Sequence, residues 1–94
     1  MTPEGKVKQQ IKAILDAYDV YYFMPHGGMF GNIGVPDFIC CYHGIFLGIE
    51  AKAKGNKPSP RQVKHLQEIT AHGGRGLVID ETNLKKLEVL LDVL

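Results

Sequence analysis

Residues 36 to 52 constrain the fold of this chain more than any other stretch. Pro36 to Tyr42 and Ile45 to Lys52 are rich in β-branched and aromatic residues, and only His43-Gly44 separates them. Glycine, and less readily histidine, accepts the positive φ that a two-residue hairpin turn demands. The sequence therefore predicts an antiparallel hairpin whose register follows from its turn. Tyr42 faces Ile45, and each step back along one strand matches a step forward along the other. Asp37 then lies opposite Glu50.

Directly opposed residues share a face with their Cβ atoms about 5 Å apart, a place where sheets ordinarily avoid like charges. A divalent cation relieves that repulsion, and two carboxylates with a backbone carbonyl and waters suit Mg²⁺ or Mn²⁺ better than zinc. The strand's period of two puts Lys52 on the face of Glu50. An ammonium there can orient or deprotonate a water and counter charge building on a phosphate, so the three residues together read as metal-assisted phosphodiester hydrolysis. A plainer reading stays open, in which Asp37 begins a strand and Glu50 with Lys52 is a solvent-facing charge pair.

The flanking segments predict the rest of one α/β domain over residues 1–94. Thr2 as N-cap and Pro3 at the first helical position open a helix over residues 3 to 18, with Val7, Ile11, Ile14, Leu15 and Tyr18 on one face and Lys8, Gln9, Lys12 and Asp16 opposite. Val20 to Met24 reads as a short strand, and the glycine-rich run from His26 to Gly34 as a flexible loop able to approach a phosphate backbone. Lys54 to Pro58 is a polar loop. Ser59-Pro60 repeats the cap-then-proline signature before a helix carrying Val63, Leu66, Ile69 and Thr70 and ending at Gly73-Gly74. Gly76 to Ile79 is a strand, and Leu84, Leu87, Leu90, Leu91 and Leu94 mark a last amphipathic helix.

Composition narrows the classes. No apolar run reaches the roughly 18 residues that cross a bilayer, and Pro3, Glu4 and Lys6 occupy the place of a signal-peptide hydrophobic region, so a soluble cytoplasmic protein without membrane attachment is expected. The adjacent Cys40 and Cys41 point to opposite faces of a strand, which excludes a mutual disulfide and a zinc site and leaves core or half-buried thiols. A net charge of +1 is neutral on partners, but Lys52, Lys54, Lys57, Arg61 and Lys64 come in a stretch free of carboxylates. That patch suits phosphate binding, or is a solvated lysine-rich loop. His26, His43, His65 and His72 lack metal-ligand spacing and read as surface or loop residues, His26 being the one placed to touch a substrate. The glycines are not followed by Gly-Lys-Ser/Thr, which disfavours nucleotide binding.

Val35-Pro36-Asp37 followed by Ile49-Glu50-Ala51-Lys52 resembles the P-D…E-x-K signature of the PD-(D/E)XK nucleases. More narrowly, Gly34-Val35-Pro36-Asp37, Glu50-Ala51-Lys52 and Gln62, ten residues after Lys52, resemble the virus-type replication-repair nuclease (VRR-NUC) domain. The resemblance implies a restriction-endonuclease-like αβββαβ core, here with a C-terminal helix, in which helices flank a mixed sheet. It further implies metal ligation by Asp37, Glu50 and the Ala51 carbonyl, with Glu4 on the first helix acting through water and Gln62 supporting the site. Glu4 falls within the apolar stripe of its helix, facing inward or toward a cleft, and Gln62 falls near the packed face of its own, so each needs a polar partner. Lys54, Lys57, Arg61, Lys64, Arg75 and His26 become candidates for sequence-independent DNA contacts.

The implied activity is that of a structure-selective DNA endonuclease acting on four-way or other branched DNA in replication, repair or recombination. Isolated family members from bacteria and phages imply a homodimer, and hence a bacterial or phage-infected cell. Two rivals remain: a linear-duplex or exonucleolytic DNase of the same fold, and a non-catalytic nucleic-acid-binding module.

Overall fold

The computed structural model describes residues 1–26 and 33–94. Its elements run α1 (Pro3–Ala17), β1 (Tyr21–Phe23), β2 (Phe38–Tyr42), β3 (Ile45–Ala51), α2 (Pro60–Ala71), β4 (Arg75–Ile79) and α3 (Leu84–Val93). This is the predicted order, with ends moved by a residue or two. The glycine-rich loop expected over 26 to 34 falls for the most part, at 27–32, outside the described residues.

The strands form one sheet in the order β1-β2-β3-β4. β1 and β3 each pair antiparallel with β2, whereas β4 pairs parallel with β3, so the sheet is mixed. His43 at φ 50° and Gly44 at φ 82° make the two-residue turn, and Tyr42 stands opposite Ile45 as its chemistry requires. Pairing extends to Phe38 opposite Ile49, which leaves Asp37 and Glu50 at the next rung.

Alternation along the strands separates two faces. Phe38, Cys40, Leu47, Ile49, Ala51, Leu77 and Ile79 pack with Val7, Ile11 and Leu15 of α1 and Leu87 and Leu91 of α3 in the main core. The opposite face carries Asp37, Gly48, Glu50 and Gly76, and α2 covers part of it. Cys40 is buried, as expected of one thiol, but Cys41, which points to the other face, is exposed where a core or half-buried thiol was expected.

Glycine sets how closely α2 approaches. A Cβ at Gly76 would lie 2.7 Å from the Leu66 carbonyl oxygen and 3.0 Å from the Leu66 Cβ. The first of these is backbone and cannot rotate away. Gly76→Ala is therefore expected to destabilise the domain by about 1–3 kcal/mol, as overpacking does, read as a lower urea midpoint at unchanged m-value. An unchanged midpoint would mean that α2 does not rest on this strand.

Candidate active site

Three element ends meet where β3 stops: the starts of α1 and α2 and the approach to β2. Thr2 caps α1, its side chain accepting from the Gly5 N–H at 3.0 Å, and Glu4 sits in the first turn. Ser59 caps α2 and accepts from the Gln62 N–H at 3.2 Å. These local signals bring Glu4 and Gln62 to the end of the sheet that holds Asp37, Glu50 and Lys52.

Glu50 is the one buried charged residue among those described, with 2 % of its surface exposed. Gln62 Nε2 donates to Glu50 Oε2 at 2.8 Å, and Lys52 Nζ lies 3.5 Å from the same oxygen. The Gln62 amide can only point this way: its Oε1 already accepts the Ser59 N–H at 2.8 Å, and a backbone N–H has no other use for a partner than as an acceptor. Glu50 Oε1 is buried without a hydrogen-bond partner among the described residues. Burial, and then the Asp37 carboxylate beside it, push the Glu50 carboxyl up from 4.5 to about 7, against the pull of Lys52.

Asp37 uses one oxygen to take the Ala51 N–H at 2.9 Å. The N–H and C=O of one strand residue turn toward the same neighbouring strand, so the Ala51 carbonyl also faces the Asp37 side. The other Asp37 oxygen lies 3.6 Å from Lys8 Nζ. Lys8 is 3.8 Å from Glu4, and Lys52 is 4.0 Å from Glu4, so two ammonium groups and three carboxylates form one chain of contacts. Glu4 faces this cleft with a side chain 38 % exposed.

Lys8 is the residue that sequence reasoning misses, having been assigned to the polar side of α1. Its signal was the four-residue spacing from Glu4, which places the two on one side of a helix.

The remaining candidates scatter. Lys54 and Lys57 are exposed in the loop that follows β3. Arg61 and Lys64 line a groove of about 390 Å³ with Ile33, His65 and Glu68. His26 is exposed. Arg75 is not brought to the site: it pairs in register with Leu47, roughly 10 Å along the sheet from the Glu50 rung. Its guanidinium donates to the Gly73 and Gly74 carbonyls at 3.2 Å each.

The donor set favours a cation. A buried carboxylate oxygen lacking a partner, a second carboxylate at its side and an inward backbone carbonyl are hard oxygen donors around a point that no protein hydrogen satisfies. Among the described residues no group of three or more His, Cys, Asp or Glu side chains gathers as a metal site, so an ion here would rest on Asp37, Glu50 and the Ala51 carbonyl. Glu4 meets this group through the two ammonium groups, Lys8 and Lys52.

Solved structures share this architecture. A "VRR_NUC domain" matches with a TM-score of 0.76 over 93 % of this chain and 95 % of its own, at 22 % identity. The fold is that of a VRR_NUC domain. A second, "VRR_NUC domain protein", matches with a TM-score of 0.66 over 95 % of this chain and 86 % of its own, at 17 % identity. Neither a protein-family model nor a curated protein matches the sequence. The VRR_NUC fold agrees with the architecture expected from the P-D…E-x-K motif. No helix among the described residues is long and apolar enough to cross a membrane.

Proposed function

We propose that this chain is a Mg²⁺- or Mn²⁺-dependent DNA endonuclease. The observation that carries the reading is Glu50: a carboxylate buried to 2 %, with one oxygen unpartnered, beside a second acid and an ammonium. A purely structural carboxylate at such depth would have its oxygens satisfied. The VRR_NUC fold of its neighbours supports the same reading.

Asp37, Glu50 and the Ala51 carbonyl would hold the ion, with Glu4 acting through water. Bound there, the cation supplies positive charge to phosphate oxygens and eases deprotonation of a water. Gln62 and Lys52 keep Glu50 oriented and favour its ionised form. Lys52, half-buried, offers an ammonium to a phosphate oxygen as negative charge grows there. Lys8 neutralises Asp37 in the resting site and has the solvent access to swing aside. Lys54, Lys57, Arg61 and Lys64 would hold flanking phosphates without reading sequence, which suits selection by DNA shape.

Labelled linear, flapped and four-way DNA incubated with and without Mn²⁺ tests the proposal. Metal-dependent cutting is expected, with branched DNA preferred over linear duplex. Cutting of linear duplex alone would favour the exonucleolytic or restriction-like alternative. Binding without cutting in Mg²⁺ and in Mn²⁺ would reduce the domain to a nucleic-acid-binding module.

A further inference from the structure

Each of the paired acids has one oxygen already committed. Asp37 Oδ2 takes the Ala51 N–H at 2.9 Å, which leaves Oδ1. Glu50 Oε2 accepts from Gln62 at 2.8 Å and faces Lys52 at 3.5 Å, which leaves Oε1, buried and bare. A cation shared by the two acids therefore draws on Asp37 Oδ1 and Glu50 Oε1. Asp37 Oδ1 is also the atom that Lys8 Nζ faces, at 3.6 Å. The ammonium of Lys8 and an ion at the centre thus compete for one oxygen.

The two lysines of the cleft are held differently. Lys52 follows β3 directly, and its side chain is 15 % exposed against 33 % for Lys8. Lys8 reaches in from α1, and both of its separations, 3.6 Å to Asp37 and 3.8 Å to Glu4, are too long for hydrogen bonds. Such a part-exposed pair is weak, and a divalent charge beside Asp37 outweighs it. The flexible four-carbon stem lets the ammonium turn away, while Glu4, one helical turn earlier, keeps it at the mouth of the cleft. Phosphates drawn to a loaded centre are the anions next within its reach.

We infer that Lys8 is an exchangeable counter-ion, paired with Asp37 while the centre is empty and with a DNA phosphate once a cation is bound, so that cation and DNA load together. The inference rests on the reading of the centre as a cation site for a nuclease. In the empty centre Lys8 is a positioning residue: it offsets the repulsion between Asp37 and its neighbouring acids and lowers the affinity for a free ion. Once a phosphate takes the ammonium over, that opposition disappears. Linkage makes the effect reciprocal, since the factor by which the ion raises DNA affinity through Lys8 is the factor by which DNA raises ion affinity.

The test compares the full chain with Lys8→Met, which keeps the length and helix preference of the side chain but not its charge, and with Lys8→Arg, which keeps the charge. Calorimetry at pH 8 measures binding of Mn²⁺ and of Ca²⁺, which takes the same oxygen donors. Anisotropy of a labelled flapped duplex, in chelator and in Ca²⁺, measures the gain in DNA affinity that the ion brings. Lys8→Met should bind either ion alone roughly 5- to 10-fold more tightly than the parent, and its ion-dependent gain in DNA affinity should shrink by a similar factor. Lys8→Arg should follow the parent. A lysine that only steadied α1 would not tighten ion binding when lost, and unchanged circular dichroism spectra check that both variants fold. Equal ion affinity in the parent and Lys8→Met overturns the inference, as does an undiminished gain in DNA affinity. A parent that binds neither ion would remove the cation reading itself, a result distinct from ion binding that ignores Lys8.

Discussion

Lys52→Ala is expected to slow DNA cleavage by roughly 10²- to 10⁴-fold, the range that a positioned proton-handling or charge-stabilising side chain supplies. Its ammonium lies 3.5 Å from Glu50 and 4.0 Å from Glu4, on the same side of the sheet as the paired acids. Two losses combine. A phosphate at the centre loses a donor at the moment its charge grows, and Glu50 loses the group that holds its carboxyl down. The second loss moves the Glu50 carboxyl still further up, so the residual activity of the variant should rise only at more alkaline pH than that of the parent. Single-turnover rates across pH on a labelled branched duplex measure both. Undiminished cutting by Lys52→Ala would remove this residue from the chemistry, and undiminished cutting by Asp37→Asn as well would remove the site.

Glu50→Gln should produce the other large effect, this time on stability. In the folded protein the Glu50 carboxyl stands at about 7, against 4.5 for an unconstrained group. Below pH 4.5 both folded and unfolded chains carry its proton, and burial costs nothing in charge. Between 4.5 and 7 the unfolded chain ionises first, so stability falls as pH rises. Above 7 the full cost is present, on the order of 3 kcal/mol. A glutamine in its place can still accept from Gln62 and has no charge to lose. Metal-free Glu50→Gln should therefore melt higher than the parent above pH 7, and the two should converge toward pH 4.5. Mn²⁺ should reverse the order at high pH by binding the ionised parent and leaving the variant unmoved. Thermal unfolding at pH 5 and pH 8, with and without Mn²⁺, gives the comparison. Parallel pH profiles for the two proteins would show that Glu50 does not bear this burden.

Much of this geometry is legible in the sequence because short-range rules fix it. A two-residue turn at His43-Gly44 leaves one register for the hairpin, and that register alone puts Asp37 and Glu50 side by side. Ser59-Pro60 sets the start of α2, and from there the helical period carries Gln62 to the packed face. Contacts between elements distant in sequence are less legible. Lys8 lies on the border of the α1 stripe, and only the docking of α1 against the sheet decides that its ammonium reaches Asp37. Arg75 belongs to the same basic set as Arg61 by composition, yet the parallel pairing of β4 carries it down the sheet, where it holds the carbonyls after α2. The exposed outer side of β1, with Tyr21 and Phe23, is hidden for a related reason. Apolar alternation is visible in β1 and β2, but whether a helix covers the outer side depends on where α2 lands.

The reciprocal cap at the start of α2 has a bearing on polarity. The opening turn of that helix occupies the oxygen of Gln62 and so decides which end of a nearly symmetric amide confronts Glu50. Were that turn to unwind, the amide could swivel and offer its own lone pairs to an anion, turning attraction into repulsion with no change of sequence. A few backbone torsions at residues 59 to 62 thus act as a rectifier for the acid beneath them, keeping it ready to receive a positive guest.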